Sequence, residues 1–290
     1  MLAIGMLWAL ATFLAVAVAS GTAPAGTATP QLVRARVAAL EVRDRADFDP
    51  QAEDDLLDLA NRDRARAEAQ PLQLNDCLMR AARRHAEAMA AQQQLSHQFP
   101  GEADLAERLT QDCAVHFDEA AENVALADSA DRANDGLMTS RAHRANLLYP
   151  SYNAVGIGVV RRGSTLYIVQ DFAHVLPAYS STQAEGAVAK SVEQTRGQAG
   201  LQPLRQRSDD TLHAEACGLA QRGSLQPAGP ARAAGARYIL RYTSAQPGDL
   251  PSVAAKALSD RSLNGFAAGA CFVRNASYPG GGYWVVLRLY

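Results

Sequence analysis

Lysine is nearly missing from this chain: only Lys190 and Lys256 stand among its 28 basic residues. The arginines that make up the rest are scattered, and 30 acidic residues leave a formal charge of −2. No basic stripe tracks along the sequence to follow a phosphate backbone or an anionic membrane, so nucleic-acid binding is excluded as a main function. No CxxC pair occurs, which removes zinc-ribbon and thioredoxin-like readings. No oxyanion-hole or nucleophile-elbow pattern surrounds Ser140, so a serine nucleophile is not supported there. Charge of either sign is absent from the first 33 residues, and no cysteine lies there to carry a lipid.

That uncharged start has a meaning of its own. Met1 to Ala19 is an apolar run broken only by Gly5 and Thr12, and Ala17-Val18-Ala19 offers a small-x-small cleavage pattern before Ser20. Residues 1–30 read as a secretory signal peptide or an uncleaved N-terminal anchor, and 31–50 as a linker. Membrane contact is expected only through that first segment. Export implies a secreted or periplasmic location, where cysteines pair. Four cysteines allow three pairings; the simplest keeps each bridge within one half, Cys77–Cys113 and Cys217–Cys271. Each closes a loop of tens of residues and contributes roughly 3–4 kcal/mol by restricting the unfolded chain.

With 48% hydrophobic and 20% charged residues over 290 positions, the chain suits two globular domains of about 100–150 residues each. Leu56, Leu57, Ala60 and Arg64 share a helical side, and Pro71 ends that helix. Asn75 or Asp76 caps the next one, whose Leu78, Ala81, Ala82, His85, Ala86 and Met89 form an apolar stripe. His85 within that stripe reads as a hydrogen-bonded core histidine. His97 follows in a turn, free of helical packing and able to face a cleft. Ala103 to Gln111 reads as a short helix with Leu105 and Leu109 inward and Glu107 and Arg108 beside them. Glu122 and Asn123 interrupt a run of small apolar residues, where a partly desolvated carboxylate demands a partner. Helical sequence returns from Asp128 to Leu148 and stops at Pro150. Val155, Ile157 and Val159 then alternate with Gly156 and Gly158, and after a turn at Arg162-Gly163 a second strand runs from Leu166 to Phe172. Helices on a small antiparallel sheet give an α+β sandwich.

The pattern recurs loosely after a linker at Pro177–Ser181. Residues 196–204 echo 64–72, Asp210 to Leu225 echoes the helix from Asp76, and the last strands echo the hairpin. This second half, 184–290, lacks a histidine at the His97 place, a Glu-Asn pair and a His-Arg pair. It reads as a repeat that has lost the site, or as an accessory domain.

Eight stretches carry a family likeness. They are 61–76 (NRDRARAEAQPLQLND), 82–90 (ARRHAEAMA), Leu95-Ser96-His97, Glu107-Arg108-Leu109, 121–125 (AENVA), 140–148 (SRAHRANLL), 152–159 (YNAVGIGV) and 167–172 (YIVQDF). In this order they resemble the CAP superfamily, the cysteine-rich secretory, antigen 5 and pathogenesis-related group with SCP-like domains, in its bacterial branch. The resemblance implies a three-layer α-β-α sandwich over 51–176. Its cleft would gather His97, Glu107, Glu122, Asn123, His143, Arg144 and Asn146. His97 and His143 match the family's two histidines, Glu122 the glutamate of the Glu-Asn motif, and Glu107 the acid of bacterial members. Ala121 stands where the family has glycine, and Ser140 where its eukaryotic members have a fourth ligand, glutamate.

Two imidazoles and a carboxylate can bind Zn²⁺, so His97, His143 and Glu122 are the candidate ligands of a divalent metal, Zn or Mg. Without metal, the same three are candidate catalytic residues, His97 with Glu122 forming a general base. Arg144 and Asn146 are expected to pin the His143 segment. The expected function is a binding or interaction module for a lipid, glycan or protein ligand. A His/Glu-dependent hydrolase such as a peptidase and a structural envelope protein are the alternatives.

Overall fold

Two glycines fix how the first helix of the core lies on its sheet. In the computed structural model, which describes residues 48–111, 113–227 and 235–290, a Cβ at Gly156 would come within 2.0 Å of the Leu78 carbonyl carbon. One at Gly158 would come within 2.4 Å of Ala82. Backbone therefore packs on backbone at both places. The helix is α2 (Asp76–Gln92), and the strand is β3 (Ala154–Arg162). Asn75 starts α2 by accepting from the N–H groups of Cys77 and Leu78.

The first half also contains α1 (Pro50–Arg66), β1 (Gln73–Leu74), α3 (Leu105–Thr110), β2 (Phe117–Ala127), α4 (Ala130–Thr139), α5 (Arg141–Leu147) and β4 (Thr165–Val175). Its sheet has the order β1-β3-β4-β2, with β1 parallel to β3 and the other pairs antiparallel. The stretch around Glu122, read from sequence as an interrupted apolar run, is the outer strand β2. On one face of the sheet, α2 packs Ala82, Ala86 and Met89 against Val124, Val160 and Val169. On the other, α1, α4 and α5 pack Leu56, Ala60, Ala133 and Leu147 against Val155, Ile157 and Ile168. The result is the expected three-layer α-β-α sandwich.

The second half repeats this order. It comprises α6 (Ser181–Gln198), β5 (Arg205–Gln206), α7 (Thr211–Arg222), β6 (Tyr238–Ser244), α8 (Ser252–Leu258), β7 (Gly265–Asn275) and β8 (Tyr278–Leu289). Its sheet runs β5-β7-β8-β6, the same topology strand for strand. The echo extends to buried detail. Arg64 donates through Nε to the Gln70 carbonyl and through Nη1 to the Leu147 carbonyl; Arg196 does the same to Gln202 and Leu258. Gly269 lies against Leu212 and His213 of α7 as Gly158 lies against Ala82 and Arg83.

Disulfides join Cys77 to Cys113 and Cys217 to Cys271, each within one half. The described residues belong to one unit, Ala46–Tyr290. His116 helps join its halves: it bonds the Pro177 carbonyl and lies edge-on to Phe272 at 5.0 Å. The export segment at 1–30 and most of the linker at 31–50 lie outside the described residues. Among the described residues, no helix is long and apolar enough to cross a membrane.

Candidate functional site

The site forms along β2, the outer strand of its sheet among the described residues. Alternation along β2 sends Glu122 to the α2 side and Asn123 to the α5 side. Glu122 is 8% exposed, which requires its charge to be met. His97 meets one oxygen, Nδ1 to Oε1 at 2.9 Å, and Nη2 of Arg108 binds the other. Arg108 is itself buried on α3, and its Nη1 donates to the His97 carbonyl at 3.1 Å. One guanidinium thus fixes both the carboxylate and the backbone that presents the imidazole.

On the other side Asn123 donates to the His143 carbonyl at 3.1 Å. Asn146 donates to Asn123 Oδ1 at 3.0 Å and to the Glu122 carbonyl at 3.3 Å. These bonds lay α5 against β2 and bring the His97 and His143 ring centroids to 6.4 Å. The His97 side chain is 59% exposed, and its Nε2 is not the atom facing Glu122. A carboxylate accepting at Nδ1 leaves Nε2 as the acceptor toward solvent.

Five expected residues, His97, Glu122, Asn123, His143 and Asn146, therefore come together. Two do not join them. Glu107 is exposed on α3, and the inward place belongs to Arg108. Arg144 is also exposed; the His143 segment is pinned by Asn123 and Asn146 instead.

Behind the site lies a buried polar layer, of which sequence reading named only His85. His85 is fully buried, with Nδ1 on Glu102 Oε1 at 2.6 Å and Nε2 on the Ser96 carbonyl at 2.8 Å. It is the hydrogen-bonded core histidine expected, and it anchors the turn that carries His97. Asp171 pairs with Glu122 across the sheet and is fully buried. Burial, and then the adjacent Glu122 charge, hold its carboxyl well above the ordinary carboxylate range.

The expected metal centre does not fit this arrangement. Among the described residues, no three His, Cys, Asp or Glu side chains are grouped closely enough to hold a metal ion. Both Glu122 oxygens are already committed, to His97 and to Arg108.

The second half closes the same place with ion pairs. Two residues before Gly158, Gly156 pairs with Asp171; two before Gly269, Ala267 pairs with Arg288. Arg288 thus stands where Asp171 does, and Ile239, its partner on β6, stands where Glu122 does. Three residues past Leu212, Glu215 stands where His85 does. Arg288 bonds Asp209 at 2.6 Å and Glu215 at 2.7 Å, and Arg241 bonds Glu215 at 2.7 Å.

Burial, then the neighbouring His97 ring, lower the His143 pKa from its ordinary 6.5. His143 therefore binds fewer protons folded than unfolded, and its contribution is fully present above pH 6.5. That stability is lost as pH falls through the folded value. His116, lowered mainly by burial, acts in the same direction. A His143→Gln variant is expected to show a shallower decline in urea stability below pH 6.5 than the parent. An unchanged decline would refute the assignment.

The three-layer sandwich thus carries two imidazoles over an outer-strand Glu-Asn pair. Residues 57–172 match the model of the cysteine-rich secretory protein (CAP) family. The chain is similar to the Bacillus subtilis protein YkwD, at 26% identity over 110 residues. That match covers 38% of this chain and 42% of the relative, so the chain spans under half of it. A Bacillus anthracis extracellular protein containing an SCP domain matches at 25% identity and a TM-score of 0.40, covering 51% of this chain and 45% of that one. The structure of Na-ASP-1 matches at 8% identity and a TM-score of 0.50, covering 84% of this chain and 90% of that one. That fold likeness runs through both halves.

Proposed function

We propose that this chain is an exported binding module. On this reading, residues 1–30 direct or anchor it, 31–50 link, 51–176 form the CAP domain, and 184–290 are a degenerate CAP-like repeat. Export is supported by the uncharged N-terminal run and by two disulfides, which persist in oxidising compartments.

The observation that carries the binding reading is how Glu122 is held. Arg108 and His97 occupy both of its oxygens, so the carboxylate orients a ring and offers no lone oxygen to a substrate. What remains at the surface is the His97 Nε2 and the His143 ring, two neighbouring hydrogen-bonding groups. Such a pair suits the hydroxyl, phosphate or amide groups of a glycan, lipid headgroup or protein. One observation favours a second reading: the His97–Glu122 dyad, with its free nitrogen outward, has the form of a general base toward water. A hydrolase, most plausibly a peptidase, would use it.

The test is titration of the full chain with phospholipid vesicles, soluble glycans and a peptide–ester library. The ring signals of His97 and His143 are followed by NMR, and product release is assayed in parallel. Binding without turnover, lost in His97→Ala/His143→Ala, is the expected result. Turnover that vanishes in the double variant would replace the binding reading with the hydrolase.

A further inference from the structure

The second half keeps a carboxylate whose internal partner is gone. In the first half, Glu53 on α1 is 6% exposed and held by the guanidinium of Arg83, with Nε to Oε1 at 2.9 Å and Nη2 on Oε2. The free edge of β3 is closed beside it. Phe48 bridges to Val160, and Asp49 donates its N–H to the Val159 carbonyl at 3.0 Å.

The duplicated contacts identify the counterparts. Glu53 precedes Arg64 by the same eleven residues that separate Glu185 from Arg196. The backbone nitrogen of Arg83 faces Gly158, and that of His213 faces Gly269. Glu185 therefore holds the place of Glu53, and His213 that of Arg83. His213 does not replace the guanidinium: its Nδ1 turns to the Ala270 carbonyl at 2.7 Å. Glu185 is half-buried, and no side chain among the described residues pairs with it.

Where Arg83 fills space in the first half, the second has a polar cavity of about 560 Å³. Ser181 and Glu185 line one wall, Arg207, Asp210 and His213 the other, and Ala268 of β7 lies between. Asp209 also reaches it but is neutralised by Arg288 at 2.6 Å. Arg207 is occupied too, over the Tyr290 ring at 4.2 Å and bonded to Asn264 at 2.6 Å. Glu185 and Asp210 together outweigh it, leaving negative charge in excess. Among the described residues the strand edge is open as well: β5 covers β7 only as far as Phe266, and Ala268 borders the cavity.

We propose that this cavity binds an arginine side chain carried by an extended segment of a partner protein. The guanidinium lies on Glu185 as that of Arg83 lies on Glu53, and the segment's backbone runs along the β7 edge at Ala268. The site is separate from the His97–His143 pair and does not depend on its function.

The test is NMR titration of the full chain with N-acetyl-Ala-Arg-Ala-amide and with the isosteric, uncharged citrulline peptide. The arginine peptide is expected to shift signals around Glu185 and Ala268, and the citrulline peptide to bind at least ~10-fold more weakly, because it lacks the charge-assisted pair. Glu185→Gln is expected to lose the difference. His213→Arg, which supplies a guanidinium from within, is expected to block the site and raise the melting temperature. His97→Ala should leave peptide binding unchanged. Equal binding of both peptides, absence of shifts with either, or arginine binding retained in Glu185→Gln would each overturn the proposal. So would a loss of binding in His97→Ala.

Discussion

Replacing Arg64 with methionine is expected to lower the stability of the chain by roughly 3–5 kcal/mol. Arg64 is fully buried at the end of α1 and donates to four carbonyls, those of Gln70, Leu147, Tyr149 and Tyr152, at 2.7–2.9 Å. It therefore ties together three separate connections: the exit of α1, the end of α5 and the entry to β3. The Leu147 and Tyr152 bonds are buried, and each orphaned carbonyl there costs about 1–3 kcal/mol. Methionine restores much of the volume, so the loss reports hydrogen bonds more than a cavity. Lysine should rescue little, since a single ammonium cannot reach carbonyls spread around a planar fork. Urea unfolding of the full chain measures both variants. A loss below ~1 kcal/mol for Arg64→Met would contradict this account. Arg196→Met, which removes bonds to Gln202, Leu258 and Asp260, tests the equivalent tie in the second half.

Arg64 also shows where sequence reasoning succeeds and stops. Periodicity placed it on the inward side of its helix with Leu56 and Ala60, and all three are buried. It could not say what a buried guanidinium would bind, because the four acceptors come from distant loops. The hairpin, the glycine-spaced strand and the capped helix were legible for a local reason: alternation, turn residues and helical spacing act over a few positions. Topological duplication was legible only as an echo, since strand order depends on long-range pairing.

The site was read in part through the family likeness and in part missed. His97 and His143 have no local spacing that joins them; β2 and α5 do so. Glu107 was named through the family likeness, as the acid of bacterial members. The helix itself held the contrary signal. With Leu105 and Leu109 inward, a 3.6-residue period turns Glu107 to the opposite side and leaves Arg108 on the flank of the apolar face. Glu102 and Asp171 left no such signal. Their roles depend on α2 carrying His85 over the sheet and on register setting Asp171 beside Glu122.

Loss of Arg108 should be as damaging as loss of Arg64, for a different reason. Arg108→Met leaves the Glu122 carboxylate buried, next to Asp171 and 3.9 Å from His85. It also removes the donor to the His97 and Ala103 carbonyls. Breaking a buried pair by deleting one partner typically costs 3–5 kcal/mol, roughly the loss expected here. If the unpaired charge causes most of that, adding Glu122→Gln to Arg108→Met should recover part of it, and the double variant should be more stable than Arg108→Met alone. If packing causes it, the second substitution should recover nothing. Urea unfolding of the parent, both single variants and the double variant separates the two causes through their coupling. The His97 ring supplies an independent check, because its backbone anchor is lost even when the charge is rescued. Its NMR signals should remain altered in the double variant while stability partly returns. Sharp, parent-like His97 signals in Arg108→Met would show that Arg108 does not position His97, and additive energies would show that it does not hold Glu122.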